Sequence, residues 1–209
     1  MYERYFAEKR GVVSLNFFYR DLTDLVEKET QFNASNGRWE QRPVNVDEGK
    51  MWGVEFDGSR RLDDWGLRGL TLRGNYSWLD SSTRDRFTGD NRRINEQPNY
   101  ILNLGADYEY KPWRASVGGN YNRVGRLEKH DIVGANRRVQ KQDPSHYLDV
   151  YFVQRLTEHI RLRLSGVNLL EIEKNRPRYT YDSAGKLVFF EQEDERSARA
   201  FFVTLEGKI

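Results

Sequence analysis

Between Gly69 and Trp78 the chain reads GLTLRGNYSW, and apolar and polar positions alternate. Leu70, Leu72, Tyr76 and Trp78 share one parity; Thr71, Arg73, Asn75 and Ser77 share the other. In an extended strand the two parities are opposite faces, here one apolar and ending in aromatics, the other polar. Similar segments along the chain predict eight strands: about Val12–Val26, Met51–Leu62, Leu67–Leu79, Tyr100–Tyr110, Trp113–Arg123, Tyr147–Leu156, Ile160–Leu170 and Ala198–Ile209. In the fourth, Tyr100, Leu102, Leu104, Ala106, Tyr108 and Tyr110 oppose Asn103, Asp107 and Glu109. In the eighth, Phe201, Val203, Leu205 and Ile209 oppose Thr204, Glu206 and Lys208. The sixth is ambiguous, because Leu148, Val150 and Phe152 share a parity while Tyr151 and Val153 sit on the other. A helical period is sustained nowhere.

The connections add order to the strands. DDWG, KP and TEH read as tight hairpin turns. The other connections are long, about residues 27–50, 80–99, 124–146 and 171–197. Short and long alternate strictly, so the chain reads as an up-and-down meander with every long loop at one end. Within the last loop, Tyr179 to Val188 reads as a hairpin turning at Asp182–Gly185. Gly118-Gly119 in the fifth strand reads as a bend or bulge.

Short turns at one end, long loops at the other and strands of roughly 9–11 residues are the pattern of a transmembrane β-barrel. The expected fold class is therefore all-β, an antiparallel up-and-down transmembrane β-barrel. Tyr76 and Trp78 would mark one membrane interface; Tyr108, Tyr110 and Trp113 the other, with Tyr121 a further interface aromatic. A soluble, lipocalin-like barrel gives the same alternation with a core in place of lipid. The alternation of long and short connections and the terminal aromatics favour lipid.

Composition changes this picture little. Among 209 residues, 34 basic and 32 acidic side chains leave a formal charge of +2, which gives no reason to expect a nucleic-acid partner. Mean hydropathy is −0.87, and no apolar run approaches the 18 or so residues of a membrane helix. Lipid-facing strands escape that test, since only alternate residues are apolar. The first residues, MYERYFAEKR, lack the apolar stretch of a secretory signal. No cysteine is present, which excludes disulfides and thiolate metal sites.

Four stretches resemble the TonB-dependent outer-membrane receptors. They are SLNFFYRDLTDLV at 14–26, Asn45 to Gly49 followed by Gly53-Val54-Glu55, Arg93 to Tyr100 continuing to Asn103-Leu104-Gly105, and Gly166-Val167-Asn168-Leu169-Leu170. They occur in the family's order and cover nearly the whole chain. The resemblance implies that residues 1–209 are the C-terminal segment of the receptor's barrel, about eight strands resembling the last eight of a roughly 22-stranded barrel. The plug domain and its TonB box would lie outside this sequence, and the segment alone would be inactive in transport. Long loops would face outside the cell, in the outer membrane of a Gram-negative bacterium. Implied partners are outer-membrane lipid, the barrel-assembly machinery, the TonB complex through the plug, and a scarce small-molecule ligand such as a metal chelate, for example a ferric siderophore. The family usually ends in an aromatic residue; here the last residue is Ile209. The alternative is a stand-alone small outer-membrane barrel, or a soluble ligand-binding barrel, without energy coupling.

Candidate chemistry is confined to the loops. Arg84, Arg86, Arg92, Arg93, Arg126, Arg137 and Arg138 make two long loops locally basic, and guanidinium groups suit anionic oxygens. Water or lipid phosphates would equally engage them. His130, His146 and His159 lack metal-ligand spacing and read as solvated loop residues. Glu191-Gln192-Glu193-Asp194-Glu195 lacks the pattern of a calcium loop. No nucleophile, phosphate-loop or dinucleotide motif is evident. The sequence points to neither an enzyme, a metal site nor a cofactor.

Overall fold

Alternation with a polar residue at every second position leaves no side for a helix to bury, and the chain resolves into strands. The computed structural model describes residues 1–6 and 10–207. In chain order the strands are β1 (Tyr2–Tyr5), β2 (Gly11–Asn33), β3 (Arg38–Arg61), β4 (Leu70–Arg84), β5 (Asn91–Arg92), β6 (Tyr100–Tyr110) and β7 (Ala115–Val124). They continue with β8 (Leu127–Val133), β9 (Asn136–Gln142), β10 (Ser145–Arg155), β11 (Ile160–Val167), β12 (Glu173–Tyr181), β13 (Leu187–Arg196) and β14 (Ala200–Gly207). All belong to one sheet, ordered β13-β12-β9-β8-β2-β3-β4-β6-β7-β10-β11-β14, with β1 on β2 and β5 on β4.

The expected meander is there: β2, β3, β4, β6, β7, β10, β11 and β14 pair with their successors, all antiparallel. Two corrections apply. The described residues form fourteen strands rather than eight, and the sheet is open, ending at β14 on one side. Apart from β1, which precedes the first predicted strand, the extra strands lie in the segments read as loops. β2 and β3 continue in register from Gly11 opposite Arg60 to Asn33 opposite Arg38, so most of 27–50 is ladder. Where both faces of a ladder meet water, alternation is not needed and the sequence does not announce the strand. The tip closes on Asn33: its carbonyl accepts the Gly37 N–H at 2.9 Å, its side chain accepts the Ser35 N–H at 3.0 Å, and Gly37 takes φ 67°.

The turn end departs only in detail. Asp63–Trp65 and Lys111–Trp113 are single 3₁₀ turns. Arg114, at φ 49°, ends the second, so Trp113 belongs to the turn and β7 starts at Ala115. The hairpin within 171–197 turns where expected, with the Gly185 N–H on the Asp182 carbonyl at 3.0 Å. The predicted last strand runs to Gly207; Lys208 and Ile209 lie outside the described residues.

Register lays the alternation out as continuous rows. On one face Leu70, Tyr108, Val117, Phe152, Leu164 and Val203 are successive cross-strand neighbours. A second row runs Leu15, Phe56, Tyr76, Leu102. The opposite face carries Asp57, Asn75, Asn103 and Asn122 in one row. The apolar face is uncovered: Phe17, Leu104 and Val203 are 67%, 49% and 76% exposed. Apolar rows of this length, held outward by register, match a lipid-facing wall. Each such side chain is worth roughly 1.5–3 kcal/mol once out of water. Buried residues sit instead mainly at the loop end, among them Val46, Ser81, Thr83, Asp85, Asp131, Val139, Ser145, Asn168 and Ile172.

Candidate functional site

Two polar assemblies occupy the inner face. The first lies at mid-strand. Asn103 donates to Asn75 at 2.7 Å, and Asn122 donates to Asn103 at 2.5 Å, a ladder across three strands. Beside it Arg73 pairs with Asp107, which also accepts the Tyr151 hydroxyl. The Arg163 guanidinium sits 5.1 Å from the Tyr151 ring centre. This resolves the ambiguous sixth strand: Phe152 faces out, while Tyr151 packs within the polar face. Gly118 and Gly119 are neither bend nor bulge, since register runs unbroken through both. A Cβ on Gly118 would stand 2.5 Å from Asp107 Oδ1 and 2.6 Å from Tyr151 Cζ. The glycine is the room that Tyr151 needs.

The second assembly is at the loop end and is centred on Asp85. The turn Asp85-Arg86-Phe87-Thr88-Gly89 forms because the Asp85 side chain accepts the N–H groups of Phe87 and Thr88 at 2.9 and 3.0 Å. Its other oxygen accepts Arg92 Nε at 3.0 Å. Arg92 reaches on to Glu27 of β2 at 2.7 Å, and Arg86 to Glu29 at 3.0 Å. From β8, His130 Nδ1 lies 3.6 Å from Asp85, and Arg137 of β9 stands 3.3 Å from the same nitrogen. Asn95 ties the strand down, donating to the His130 carbonyl at 2.9 Å and accepting its N–H at 2.7 Å.

Burial favours protonation of Asp85, but the Thr88 and Phe87 N–H groups and the charges of Arg92 and Arg137 outweigh it and hold the carboxyl below its ordinary range. For His130, burial and then the same two arginines depress the imidazole below its ordinary value, against the pull of Asp85 and Glu128. It is neutral at pH 7.

The loop arginines are distributed unevenly. Arg86, Arg92 and Arg137 gather around Asp85 with Glu27, Glu29 and His130. Arg93 pairs with Asp80 at 3.1 Å and Arg138 with Asp131 at 3.0 Å. Arg84 is exposed and donates to the Gly89 carbonyl at 3.1 Å. Arg126 is exposed, with no hydrogen-bond or ion-pair partner among the described residues. Sequence reading missed the partners: the carboxylates, Asn95 and His130, which is largely buried rather than solvated. The one signal was the Asp-x-x-Thr-Gly turn at Asp85. His146 is opposite Arg123 in β10, and His159 lies in the β10–β11 turn. Glu191, Glu193 and Glu195 of the acidic run face Arg178 and Arg176. Between the hairpins a cavity of about 610 Å³ is lined by Phe87, His130, Arg137, Lys141 and Tyr181, among others. Among the described residues no group of His, Asp and Glu is placed to hold a metal ion.

The six aromatics expected at the membrane interfaces lie at both ends of the strands and along the apolar face. Tyr76 stacks with Tyr100 at 6.3 Å and Tyr108 with Tyr110 at 6.4 Å; Trp113 meets Tyr110 edge-on at 5.5 Å. Trp78 is opposite Tyr100, and Tyr121 lies between Leu104 and Leu148.

An apolar outer face, a polar inner face and a built-up loop end define part of the wall of a transmembrane β-barrel. The chain belongs to the TonB-dependent receptor-like β-barrel family, whose sequence model matches residues 2–169. No curated protein sequence matches it. Among solved structures it is similar in fold to the pyoverdine outer membrane receptor FpvA from Pseudomonas aeruginosa PAO1, bound to pyoverdine, with TM-score 0.65 and 14% identity over 99% of this chain and 28% of that one. The ferric-catecholate import receptor Fiu from E. coli K12 gives TM-score 0.61 and 15% identity over 96% and 26%. The siderophore receptor PirA from Acinetobacter baumannii gives 0.58 and 15% over 97% and 30%. The chain thus spans between about a quarter and a third of the receptors it matches.

Proposed function

We propose that this chain is part of an outer-membrane receptor for TonB-dependent uptake of a scarce small ligand such as a ferric siderophore, and is not an enzyme. It supplies one arc of the barrel wall, the C-terminal one, and a share of the ligand-facing loops. The carrying observation is the pair of opposed faces: unbroken apolar rows on one side, an Asn–Asp–Arg surface on the other. A barrel wall between lipid and a wet lumen needs both. Family membership and the receptors of like fold support the reading.

In it, loops capture the ligand, and the ligand passes along the lumen when the TonB complex acts on a plug domain encoded elsewhere in the receptor. The loop arginines contribute contacts to anionic ligand oxygens. Arg126 and Arg84 have the freest donors, whereas Arg86, Arg92 and Arg137 would first exchange a carboxylate partner. Folding depends on the barrel-assembly machinery and on lipid, and the 209 residues alone do not transport.

An antibody raised against residues 171–197 tests this on fractionated source-cell membranes. A surface-accessible outer-membrane band several times heavier than 24.8 kDa is expected. A heat-modifiable membrane band near that mass would replace the reading with a stand-alone small barrel without energy coupling. A soluble band would remove the membrane altogether.

A further inference from the structure

The second apolar row on the outer face does not end at Leu102. Register carries it on to Arg123 of β7 and then to His146 of β10. A row of cross-strand neighbours runs square to the strands, and the strands of a barrel tilt, so a row climbs as it crosses the wall. At Arg123 it has climbed out of the apolar band. Along β7 the span from Trp113 at the turn end to Arg123 matches the roughly 9–11 residues that carry a tilted strand across hydrocarbon, and so does the span from Leu156 to His146 along β10. Arg123 and His146 therefore stand at the level of Trp78 and Tyr100, just above the lipid-facing rows.

Arg123 is held in place without being neutralised. Its guanidinium sits 5.9 Å from the Tyr100 ring centre, and Tyr100 in turn stacks on Tyr76 at 6.3 Å, so the side chain lies on an aromatic shelf. Its N–H donors find no acceptor among the described residues, and neither does the imidazole of His146. Their neighbours on that face are Leu102, Tyr121 and Leu148, with no carboxylate among them. Other cations near this level are already matched: Arg93 pairs with Asp80 at 3.1 Å, and Lys50 stands opposite Asp21. The strands flanking β7 and β10 are β6 and β11, both of this chain, so a strand from elsewhere in a barrel cannot lie alongside either residue. The acceptor for Arg123 has to come from outside the wall.

We propose that Arg123 and His146 form a binding site for the phosphate headgroup of a membrane lipid, on the lipid-facing side of the wall at its loop end. The guanidinium presents a fork of N–H donors that fits phosphate oxygens, and a flat face that rests on an aromatic ring. The imidazole has an N–H to donate in either protonation state. Directly beneath, Leu102, Leu104, Tyr121 and Leu148 offer apolar surface to the acyl chains of the same molecule. That surface is what separates a lipid from a free phosphate ion, since an ion uses only the top of the site. The site rests on the barrel-wall reading only for the presence of lipid.

The test uses the protein and its variants made in the source cells, immunopurified from membranes in mild detergent with the antibody to residues 171–197, and freed of lipid by detergent exchange. Native mass spectrometry reads adducts with phosphatidic acid, with the diacylglycerol that has the same chains and no phosphate, and with inorganic phosphate. Phosphatidic acid should be retained in preference to diacylglycerol, and Arg123→Gln combined with His146→Gln should weaken its retention about tenfold or more. Arg123→Lys, which keeps the charge but not the fork, should fall between. Arg155→Gln, an exposed arginine on the inner face, should match the parent. Diacylglycerol held as well as phosphatidic acid, a double variant that binds like the parent, or an equal loss in Arg155→Gln overturns the site. Inorganic phosphate that displaces phosphatidic acid at equal concentration overturns the lipid as its occupant. Heat-modifiability on gels checks that the double variant is folded. Where it is not, Arg123→Lys carries the test, and retention equal to the parent's overturns the site. Failure of the barrel-wall reading shows earlier and separately, as a soluble band on fractionation before any lipid is added.

Discussion

Tyr151 of β10 donates its phenolic proton to Asp107 of β6, across the full width of the strand between them. The bond passes over Gly118, the one residue type that leaves space for it. Gly118→Ala puts a methyl group within 2.6 Å of both partners and should cost about 1–3 kcal/mol, the usual range for overpacking. Adding Tyr151→Ala should recover much of the loss, because the ring clash goes and the Asp107 carboxylate, freed of its partner, can swing away from the new methyl. A double-mutant cycle on heat-modifiability midpoints measures the coupling; additive losses would show that the ring does not lie over Gly118.

Neighbouring residues of β6 offer a sharper contrast. Leu104 is on the apolar face and Asn103 on the polar one. Leu104→Arg should lower insertion into lipid vesicles by about 2–4 kcal/mol if it lies near the bilayer centre. Asn103→Arg, one residue away, should insert nearly as well as the parent, losing only the amide ladder at about 1 kcal/mol. Equal tolerance at both positions would remove lipid from the account.

Much of this was legible beforehand for a simple reason. A wall with lipid on one side and water on the other writes its geometry into residue parity, so Leu70 to Trp78 could be assigned faces unaided. Parity failed where the physics changed. Residues 27–50 carry charge on both parities because both faces are wet, and they were read as a loop although β2 and β3 run through them. Tyr151 broke the pattern because its partner is forty-four residues upstream and its space comes from a third strand. His130 looked solvated because the groups that bury it come from Asp85, Asn95 and Arg137, on three different segments.

Asp85 and His130 separate on a pH axis. The Asp85 carboxyl is depressed, so its contribution is whole above the free value of about 3.9 and is lost as pH falls through its lowered folded value. The His130 imidazole is also depressed, but for a base the consequence appears earlier: its contribution is whole above about 6.5 and erodes below it. Limited proteolysis of the loops should therefore accelerate between pH 6.5 and 5 in the parent. Asp85→Ala should be cleaved readily even at pH 7.5, having lost the Phe87, Thr88 and Arg92 bonds. Proteolysis that first rises below pH 4 would assign the acid sensitivity to carboxylates alone.

Asn168 closes β11 in the left-handed region at φ 55°. Its amide donates to the Ser197 and Ala198 carbonyls at 2.8 and 3.1 Å, and its N–H meets Asp149 at 2.8 Å. Asn168→Ala combines backbone strain with two lost bonds and should cost about 2–3 kcal/mol. Asn168→Gly, which relieves the strain but not the bonds, should cost about half as much. Thermal midpoints of the two variants check the order; Gly no better than Ala would mean that φ is not the burden.

The β2–β3 hairpin has one more consequence. Its 23-residue first strand measures roughly 75 Å along its length at about 3.3 Å per residue, or roughly 50 Å in height at a tilt near 45°. A hydrocarbon layer of about 30 Å swallows little more than half of that. In the proposed receptor the tip, with Phe32 against Trp39, would therefore rise like a mast some 20 Å clear of the greasy slab, high enough to be touched before anything beneath it by whatever drifts in from outside.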